Sequence, residues 1–384
     1  MATGAYPDLF AELLGRDSAE TRGKIAHAWA QLFEGDSASE RVYYPAGGDM
    51  GYVEDIANGD VRTEGMSYGM MIAVQLDRRD VFDRIWRWAR THMRFGAGPH
   101  AGYFAWHCTP RGDVIDSTAA SDGEEWFATA LCIAASRWSD GAPAYEAGAR
   151  DILHAMLHKD SDPGRGSVTN MFDGAAKLVV FVPARGANMF TDPSYQLPHF
   201  YELWARHAPE DAPFWHAAAE SSRVLLRRSA DEHTGLSPDY AAFDGTPLGG
   251  RGGAHGDFRF DAWRVAMNLG MDWVWCRTAP WEQEQADRIL AFFRSQGVDA
   301  YVNEFTLDGK PLGADHSTGL VAANAVAALA ATVDWRRDFV RALWEANVPR
   351  GRYRYYDGML YMLALLEVSG NFRAYETQGE GGAR

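Results

Sequence analysis

Apolar residues recur every three or four positions along most of the chain, with polar residues between them, as in amphipathic helices. Runs that alternate between apolar and polar positions, as strands do, are few. The spacing predicts twelve substantial helices, over residues 20–34, 64–76, 79–95, 122–138, 142–158, 192–207, 211–229, 261–275, 280–297, 315–331, 335–347 and 354–369. Residues 175–183 are expected to form part of a small hairpin in a long loop.

The twelve predicted helices differ in an alternating way. The odd-numbered ones are amphipathic and charged, as in RRDVFDRIWRWARTHM at 78–93. The even-numbered ones are small and apolar on nearly all faces, as in STGLVAANAVAALAATV at 317–333, and such helices must be buried on all faces. Six exposed helices that alternate with six buried ones predict an all-α fold of two concentric rings, an (α/α)6 barrel. No linker interrupts the series, so we expect a single domain over residues 1–384.

Each even-numbered helix also begins with polar residues, most of them acids. The residues at these starts are Glu64, Asp122, Glu124, Glu125, Asp192, Tyr195, Asp261, Arg264, Asp315, His316 and Asp357. The inner helices of a double-ring barrel run parallel, so the six starts are expected to meet in one cleft. A single acid at a helix start needs no catalytic role, because the helix dipole favours an acidic side chain there. Six starts together favour chemistry, because crowded carboxylates repel one another and raise their pKa values.

Composition narrows that chemistry. The net charge of −15 disfavours nucleic acid and anionic membrane surfaces as partners. The sequence has no motif typical of a metal site, a nucleotide site or a nucleophilic serine, so we expect neither a metal nor a cofactor. What remains is paired carboxylates together with 14 Trp and 16 Tyr. Glycoside hydrolysis uses this combination, with carboxyl groups for proton transfer and aromatic faces for sugar rings.

The cysteines and the termini bear on the compartment. There are three cysteines, Cys108, Cys132 and Cys276, and no C-x-x-C pair, which is typical of buried thiols in a reducing compartment. The N-terminal residues lack the basic and apolar regions of a secretory signal, and no apolar run is long enough to cross a membrane. We therefore expect a cytoplasmic protein, and a monomer.

Five segments in the same order resemble glycoside hydrolase family 8. They are EGMSYGMMIA at 64–73, SDGEEWF at 121–127, TDPSYQLPHFYELW at 191–204, FDAWRVAMN at 260–268 and DHSTGLVAANAVAAL at 315–329. They look most like the subgroup of reducing-end xylose-releasing exo-oligoxylanases, and the resemblance runs from about Gly51 to about Ser369. It implies an (α/α)6 barrel, an inverting mechanism and xylo-oligosaccharides as substrate.

The resemblance also implies roles for individual residues. Glu64 matches the general acid and Asp261 the general base, and Arg264 would orient Asp261 by a charge-assisted hydrogen bond. Asp122 matches the carboxylate that stabilises the distorted sugar at the cleavage point. Tyr195 matches the tyrosine that helps to hold the attacking water.

A second group of residues is predicted to bind the substrate. Trp106 and Trp126 match positions where sugar rings stack, and His316 matches the histidine that binds the reducing-end sugar and marks the exo-acting subgroup. Asp192 and Tyr356, near the starts of predicted helices six and twelve, complete the group together with Arg264.

Three alternatives stay open. An endo-acting family 8 xylanase, or another β-1,4-glycanase, would have an open cleft, whereas exo action needs His316 and a segment at 303–315 that closes the cleft beyond one leaving-side subsite. A sugar epimerase could share the barrel, but epimerases usually carry protons on histidines. A non-catalytic carbohydrate-binding protein would need the aromatic residues but no acid–base pair.

One expectation concerns the pKa of Glu64. A helix start lowers the pKa of a carboxyl group, but a general acid must keep its proton near neutral pH. The clustered carboxylates, Asp122 above all, are expected to outweigh the helix dipole.

Overall fold

The chain is almost entirely helical. The computed structural model describes residues 6–249 and 254–375. The α-helices in these ranges are α1 Leu9–Leu14, α2 Ser18–Trp29, α3 Thr63–Gln75, α4 Arg79–His92, α5 Ser121–Arg137, α6 Ala142–His158, α7 Pro198–His207, α8 Ala212–Ser229, α9 Trp263–Trp275, α10 Trp281–Ser295, α11 Thr318–Ala327, α12 Arg337–Glu345 and α13 Arg354–Val368. A π-helical turn, Ala30–Glu34, extends α2.

Six of these helices form a closed inner ring. Helices α3, α5, α7, α9, α11 and α13 each pack against the next, and α13 packs back against α3. The helices between them form the outer layer, where α4 packs on α3, α6 on α5, α8 on α7, α10 on α9, α12 on α11 and α2 on α13. The predicted (α/α)6 barrel is confirmed.

The burial of the two rings agrees with the alternation seen in the sequence. Every residue of α3 except Glu64 is buried. The outer helix α4 buries only one stripe, which includes Phe82, Ile85 and Trp86, and it leaves its charged face in solvent. An all-round apolar helix lies inside and an amphipathic one outside, because only the inner position removes every face from water.

Two predicted inner helices are shorter than their patterns suggested. Residues 192–207 form a 3₁₀ turn, Pro193–Tyr195, and then α7, which begins at Pro198. Proline restricts the residue before it to extended conformations, and both Asp192 and Leu197 lie outside the helical region. Predicted helix ten, 315–331, is confined to α11, so His316 precedes the helix instead of starting it.

The sequence pattern missed short elements near the mouth of the barrel, as well as α1. Two antiparallel sheets occur among the described residues: β1 Tyr43–Ala46 with β2 Met50–Val53, and β3 Val61–Arg62 with β4 His107–Cys108 and β5 Val114–Asp116. The predicted hairpin at 175–183 does not form strands; this part of the chain makes only isolated bridges, such as Phe172 with Val179.

Strand β3 leads directly into α3 and so fixes where the barrel mouth begins. At that junction the backbone N–H of Thr63 donates to the carbonyl of Trp106 at 3.0 Å. The bond holds Trp106 beside the start of α3. Glu64, the only partly exposed residue of that helix, lies at the same start.

Two other expectations meet the structure at this level. Cys108, Cys132 and Cys276 are free and buried, as expected. In the described part of the chain, no helix has the length and hydropathy needed to cross a membrane. That the whole of 1–384 is one domain stays a prediction.

Candidate active site

A cleft of about 340 Å³ lies between the starts of α3 and α5, the 3₁₀ turn before α7 and the start of α9. Its lining includes Glu64, Trp106, Asp122, Tyr195, Asp261 and Arg264. These six predicted site residues come from four separate parts of the inner ring and from the segment before β4. The parallel run of the inner helices therefore brings four of the six predicted starts together. The starts of predicted helices ten and twelve do not line this cleft, so the prediction that all six meet there is wrong.

Two glycines let the helix starts approach one another this closely. A methyl group at Gly65 would lie 2.5 Å from the ring of Tyr355, and one at Gly123 would collide with the side chain of Thr63. Glycine at these two positions therefore permits the contact of α3 with α13 and of α5 with α3. The carboxyl groups of Glu64 and Asp122, next to the two glycines, point into the cleft that results.

The guanidinium group of Arg264 lies at the centre of the cleft. It contacts three carboxylates: Oε2 of Glu64 at 2.9 Å, Oδ2 of Asp122 at 3.3 Å and Oδ1 of Asp261 at 3.1 Å. It also donates to the hydroxyls of Tyr68 at 2.8 Å and Ser194 at 2.9 Å. The sequence had predicted only the contact between Arg264 and Asp261. The structure shows instead that one cation holds all three carboxylates in place.

The three carboxylates differ in their access to solvent. The side chain of Asp261 is 36% exposed, that of Glu64 17% and that of Asp122 8%. Asp261 is therefore the group that water reaches most easily. Asp122 is the most enclosed, and its Oδ1 accepts the backbone N–H of Gly123 at 2.9 Å.

Burial raises the pKa of two carboxyl groups in this cluster, Asp122 and Glu64. It raises the pKa of Asp122 to about 7, with the Glu64 and Asp261 carboxylates adding to the rise and Arg264 opposing it. Burial is also the largest cause of the raised pKa of Glu64, again against Arg264. This corrects the expectation that Asp122 above all would raise the pKa of Glu64: burial leads, and the carboxylate that contributes most is Asp261.

Two tyrosines at the site were missed in the sequence. The hydroxyl of Tyr355 donates to Oε1 of Glu64 at 2.9 Å, so that both oxygens of this carboxyl group are held. Tyr68 accepts from Arg264 one helical turn below Glu64. The i, i+4 spacing of Glu64 and Tyr68 within α3 is a signal that could have found the second tyrosine. The first depends on the packing of α13 against α3, which no local pattern shows.

One known family model matches most of the chain, including the inner helices and the residues of the cleft. Residues 48–370 match the family model described as Glycosyl hydrolases family 8. The chain belongs to glycosyl hydrolase family 8. It is therefore a glycosidase, and the predicted resemblance is confirmed.

Its relatives are similar over almost their full length. The reducing-end xylose-releasing exo-oligoxylanase Rex8A of Paenibacillus barcinonensis is 46% identical over 381 residues, which cover 97% of each chain. A reducing end xylose-releasing exo-oligoxylanase of Halalkalibacterium halodurans is 43% identical, with 98% of this chain and 96% of the relative covered. The solved structure of a family 8 xylanase mutant from Teredinibacter turnerae, in complex with xylohexaose, superposes with a TM-score of 0.92 at 43% identity and covers 97% of this chain and 99% of that one.

The two tryptophans that were predicted to stack on sugars lie at different depths: one lines the cleft and the other is in the barrel core. Trp106 lines the cleft, and the guanidinium of Arg62 lies 5.6 Å from the centre of its ring. Trp126 is only 8% exposed and packs edge-on against Tyr68 and Phe200 in the barrel core. We therefore correct its placement: it is four residues after Asp122, one helical turn deeper than the cleft surface.

The remaining predicted binding residues do not line the same cleft. Asp192 is fully buried, its Oδ1 caps the 3₁₀ turn by accepting the N–H of Ser194 at 2.7 Å, and its Oδ2 has no partner among the described residues. The hydroxyl of Tyr356 donates to the carbonyl of Phe260 at 2.9 Å. Its ring lies 5.7 Å from that of Trp263, at the start of α9.

His316 lines a separate cavity of about 500 Å³, which Thr318, Asn347 and Val348 also line and which shares no lining residue with the cleft. Because a carbonyl can only accept, the 2.7 Å contact of Nδ1 with the carbonyl of Tyr301 places a proton on Nδ1. In the neutral ring, Nε2 is then an acceptor. His316 does not cap α11, whose first turn instead donates the N–H of Gly319 to Asp357 at 3.2 Å.

Proposed function

We propose that this enzyme is an inverting glycoside hydrolase that releases xylose from the reducing end of β-1,4-xylo-oligosaccharides. The observation that carries the proposal is the set of three carboxylates around Arg264 in a cleft with an aromatic wall. Two relatives with this activity in their names match the chain over nearly its whole length. The proposed assignment of each residue follows from its contacts.

Glu64 is the proposed general acid. Burial raises its pKa, which is the direction that a general acid requires if it is to bring a proton to the glycosidic oxygen. After transfer, the new carboxylate receives hydrogen bonds from Tyr355 on one oxygen and Arg264 on the other. These bonds are stronger to the charged carboxylate than to the neutral acid, so they favour the transition state over the ground state.

Asp261 is the proposed general base. It is the most exposed of the three carboxylates, and its Oδ1 is held by Arg264. Inversion needs space for a water between the base and the sugar, and the two carboxyl groups of inverting enzymes are typically about 6.5–9.5 Å apart. Glu64 and Asp261 bind different terminal nitrogens of the same guanidinium group, at 2.9 and 3.1 Å.

Asp122 and Tyr195 are the proposed partners of the sugar and the water. Asp122 is enclosed between the two catalytic carboxylates and can stabilise the positive charge that develops on the sugar ring. Tyr195 is buried, lines the cleft and has the Asp122 and Asp261 carboxylates as close electrostatic neighbours. Trp106 is the proposed stacking surface for a sugar on the non-reducing side.

Exo action is assigned to His316 and the segment 303–315. The Nε2 atom of His316 can accept the anomeric hydroxyl of a reducing-end sugar, because Nδ1 is committed to Tyr301. The segment is tied at its two ends by the bond from Asn303 N–H to the Asp315 carbonyl at 2.8 Å. It is also anchored to the body of the protein by Phe305, which pairs with Phe258. A loop fixed in this way can act as a barrier.

An endo-xylanase is the second candidate, because a family 8 enzyme described as a xylanase, at 43% identity and the same fold, was solved with xylohexaose. Xylotriose labelled with ¹³C at its reducing-end C1 separates the two. Exo action at the reducing end puts the label only into free xylose. A labelled disaccharide would show that xylose leaves from the non-reducing end and would overturn the proposed mode of attack. Rapid hydrolysis of methyl β-xylotrioside or mid-chain cutting of xylan would show an open cleft and an endo-xylanase.

We further propose that the enzyme is a monomeric, single-domain protein of the cytoplasm. The three buried free thiols support a reducing compartment. Fractionation of the native host separates this from export, and light scattering gives the oligomeric state.

A further inference from the structure

Two adjacent glutamates in the first turn of α5 have no part in the mechanism above. Glu124 and Glu125 follow the cleft residue Asp122, and both are completely buried. Each uses Oε1 for one hydrogen bond, and the Oε2 of each has no partner among the described residues. Two buried carboxyl groups side by side are costly unless they are protonated or serve a purpose.

Glu125 is linked to the turn that carries Tyr195. Its Oε1 lies 2.6 Å from the hydroxyl of Tyr201, which in turn lies 3.2 Å from the backbone carbonyl of Tyr195. Tyr201 has one proton to donate. If Glu125 is protonated, it donates to Tyr201, and Tyr201 is free to donate to the carbonyl of Tyr195. If Glu125 is ionised, it accepts the hydrogen bond from the Tyr201 hydroxyl, and the carbonyl of Tyr195 loses its donor.

Glu124 is linked to a different part of the cleft wall. Its Oε1 accepts the backbone N–H of Phe104 at 3.0 Å. Phe104 lies two residues before Trp106, whose ring lines the cleft. One helical turn of α5 therefore sends Asp122 into the cleft, Glu124 to the segment of Trp106 and Glu125 to the turn of Tyr195.

We propose that Glu124 and Glu125 are positioning residues, which hold the stacking segment of Trp106 and the water-binding turn of Tyr195 in register with Asp122. The inference rests on the proposed function, because it uses the roles given there to Trp106 and Tyr195. Glu125 acts as a neutral acid that donates through Tyr201. Glu124 acts as the acceptor for Phe104.

The surroundings of both groups favour the neutral form. Burial raises the pKa of Glu124 and of Glu125 well above the usual value for a glutamate. The titratable groups that act on Glu125 are Asp122 and Glu124 on its own helix, which raise its pKa further, and Arg264 of α9, which opposes them. From α7 the neutral hydroxyl of Tyr201 contacts it.

The two glutamates serve as matched controls for each other. Glu125→Met removes the donor that orients the Tyr201 hydroxyl towards the carbonyl of Tyr195, and we expect kcat to fall about 5- to 10-fold with KM little changed, because that hydroxyl positions a group that acts in the transition state. Glu125→Gln keeps a donor and should restore most of kcat. Glu124→Met removes the acceptor for Phe104, and we expect KM to rise about 3- to 10-fold with kcat little changed. Glu124→Gln keeps an acceptor and should restore KM.

Tyr201→Phe keeps the packing and guards against a failure of the methionine variants to fold. It removes the hydroxyl that donates to the carbonyl of Tyr195, so it should lower kcat at least as much as Glu125→Met, which leaves that hydroxyl in place without its orienting donor. Adding Glu125→Met to Tyr201→Phe should cause little further loss, because Glu125 acts on the turn of Tyr195 through the Tyr201 hydroxyl.

All ratios are taken to the wild type, on xylotriose or on whichever β-1,4-glycan it hydrolyses fastest. A wild type that leaves xylo-oligosaccharides intact would overturn the proposed function alone. Equal changes of kcat and KM in the Glu124 and Glu125 variants, or a Tyr201→Phe enzyme with wild-type kcat, would overturn the positioning roles. So would a Gln variant as impaired as its Met counterpart.

Discussion

Among the described residues, two buried arginines bind carboxylates, and they behave in opposite ways. Arg264, in the first turn of α9, is shared by Glu64, Asp122 and Asp261. Arg223 of α8 makes a two-pronged contact with Asp272, at 2.7 and 2.9 Å, near the far end of α9. Both guanidinium groups are nearly inaccessible, so burial alone does not account for the difference.

The difference lies in how each arginine divides its contacts. Arg223 also contacts Glu202 at 3.3 Å and Glu220 at 2.6 Å, but both of these side chains reach solvent. Its other two nitrogens, Nε and Nη2, both donate to Asp272, whose carboxylate is fully buried.

Burial acts to raise the pKa of Asp272, but hydrogen bonds, from Arg223 first, lower it below its usual value. Next to it, burial and the Asp272 carboxylate raise the pKa of Glu282 to about 11, so that proton is fixed. At the cleft, three carboxylates share one cation, and Asp122 titrates near pH 7. A fixed charge pattern stabilises the fold, whereas a proton that exchanges near neutral pH suits acid–base chemistry.

The largest expected effect is a loss of activity without a loss of stability. Glu64→Ala and Asp261→Asn should each lower kcat/KM by at least about 10²–10⁴-fold, because each removes one proton-transfer group. Their unfolding in urea should stay close to wild type, since both side chains are partly exposed. The measurement is steady-state hydrolysis of xylotriose; near-wild-type turnover by either variant would take that residue out of the mechanism.

Arg223→Leu should have the opposite effect, a loss of stability without a loss of activity. It leaves the Asp272 carboxylate buried and unpaired, which typically lowers the free energy of unfolding by about 3–5 kcal/mol. The molecules that remain folded should keep the wild-type kcat, because Asp272 is remote from the cleft. Arg264→Leu is the matched variant, and it should lose activity even at temperatures where it is fully folded. An Arg223→Leu enzyme of normal stability, or one that is folded but inactive, would contradict the contrast between the two arginines.

The pH dependence of stability separates the clusters further. The folded pKa of Asp122 is raised to about 7 from 3.8, so the folded state binds more protons than the unfolded state between these pH values. The contribution of Asp122 to stability is therefore complete below about pH 4 and is lost as the pH rises through 7, by up to about 1.4 kcal/mol per pH unit. Asp122→Asn should flatten the stability curve over that range. A curve with unchanged slope would show that Asp122 is ionised in the folded enzyme.

The smallest expected effect is that of Glu282→Gln. Because Glu282 already holds its proton, an isosteric neutral amide should change the free energy of unfolding by only about 1 kcal/mol or less. Glu64→Gln, the same change at the cleft, should abolish proton donation and most activity. Urea unfolding and xylotriose hydrolysis of the two variants together give the comparison, and a strongly destabilised Glu282→Gln enzyme would show that this group is charged.

Sequence patterns predicted the barrel and most of the cleft for a physical reason. The alternation of amphipathic and all-apolar helices sets which ring each helix enters, and parallel inner helices bring their starts together. Glu64, Asp122 and Asp261 could therefore be assigned to one cleft. The hub role of Arg264 could not, since its contacts with Glu64 and Asp122 span 200 and 142 residues of sequence.

Depth within the barrel was also beyond the reach of sequence reasoning. Trp126 and Tyr68 each lie one helical turn below a cleft carboxylate, and their rings meet edge-on at 4.7 Å. A motif shows that Trp126 is near Asp122, but it does not show which side of the cleft floor the ring occupies. The turn that begins at Pro193 was missed for a different reason, because an apolar periodicity continued through it.

The stereochemistry of the fresh product tests the central claim, that Glu64 and Asp261 act as acid and base on opposite sides of the bond. Proton NMR of xylotriose hydrolysis, recorded before the anomers equilibrate, shows the new reducing end of xylobiose directly. An inverting enzyme gives the α-anomer first, and the β-anomer appears only as mutarotation proceeds. Initial formation of the β-anomer would mean a covalent intermediate and retention, and it would contradict the roles assigned to the carboxylates around Arg264.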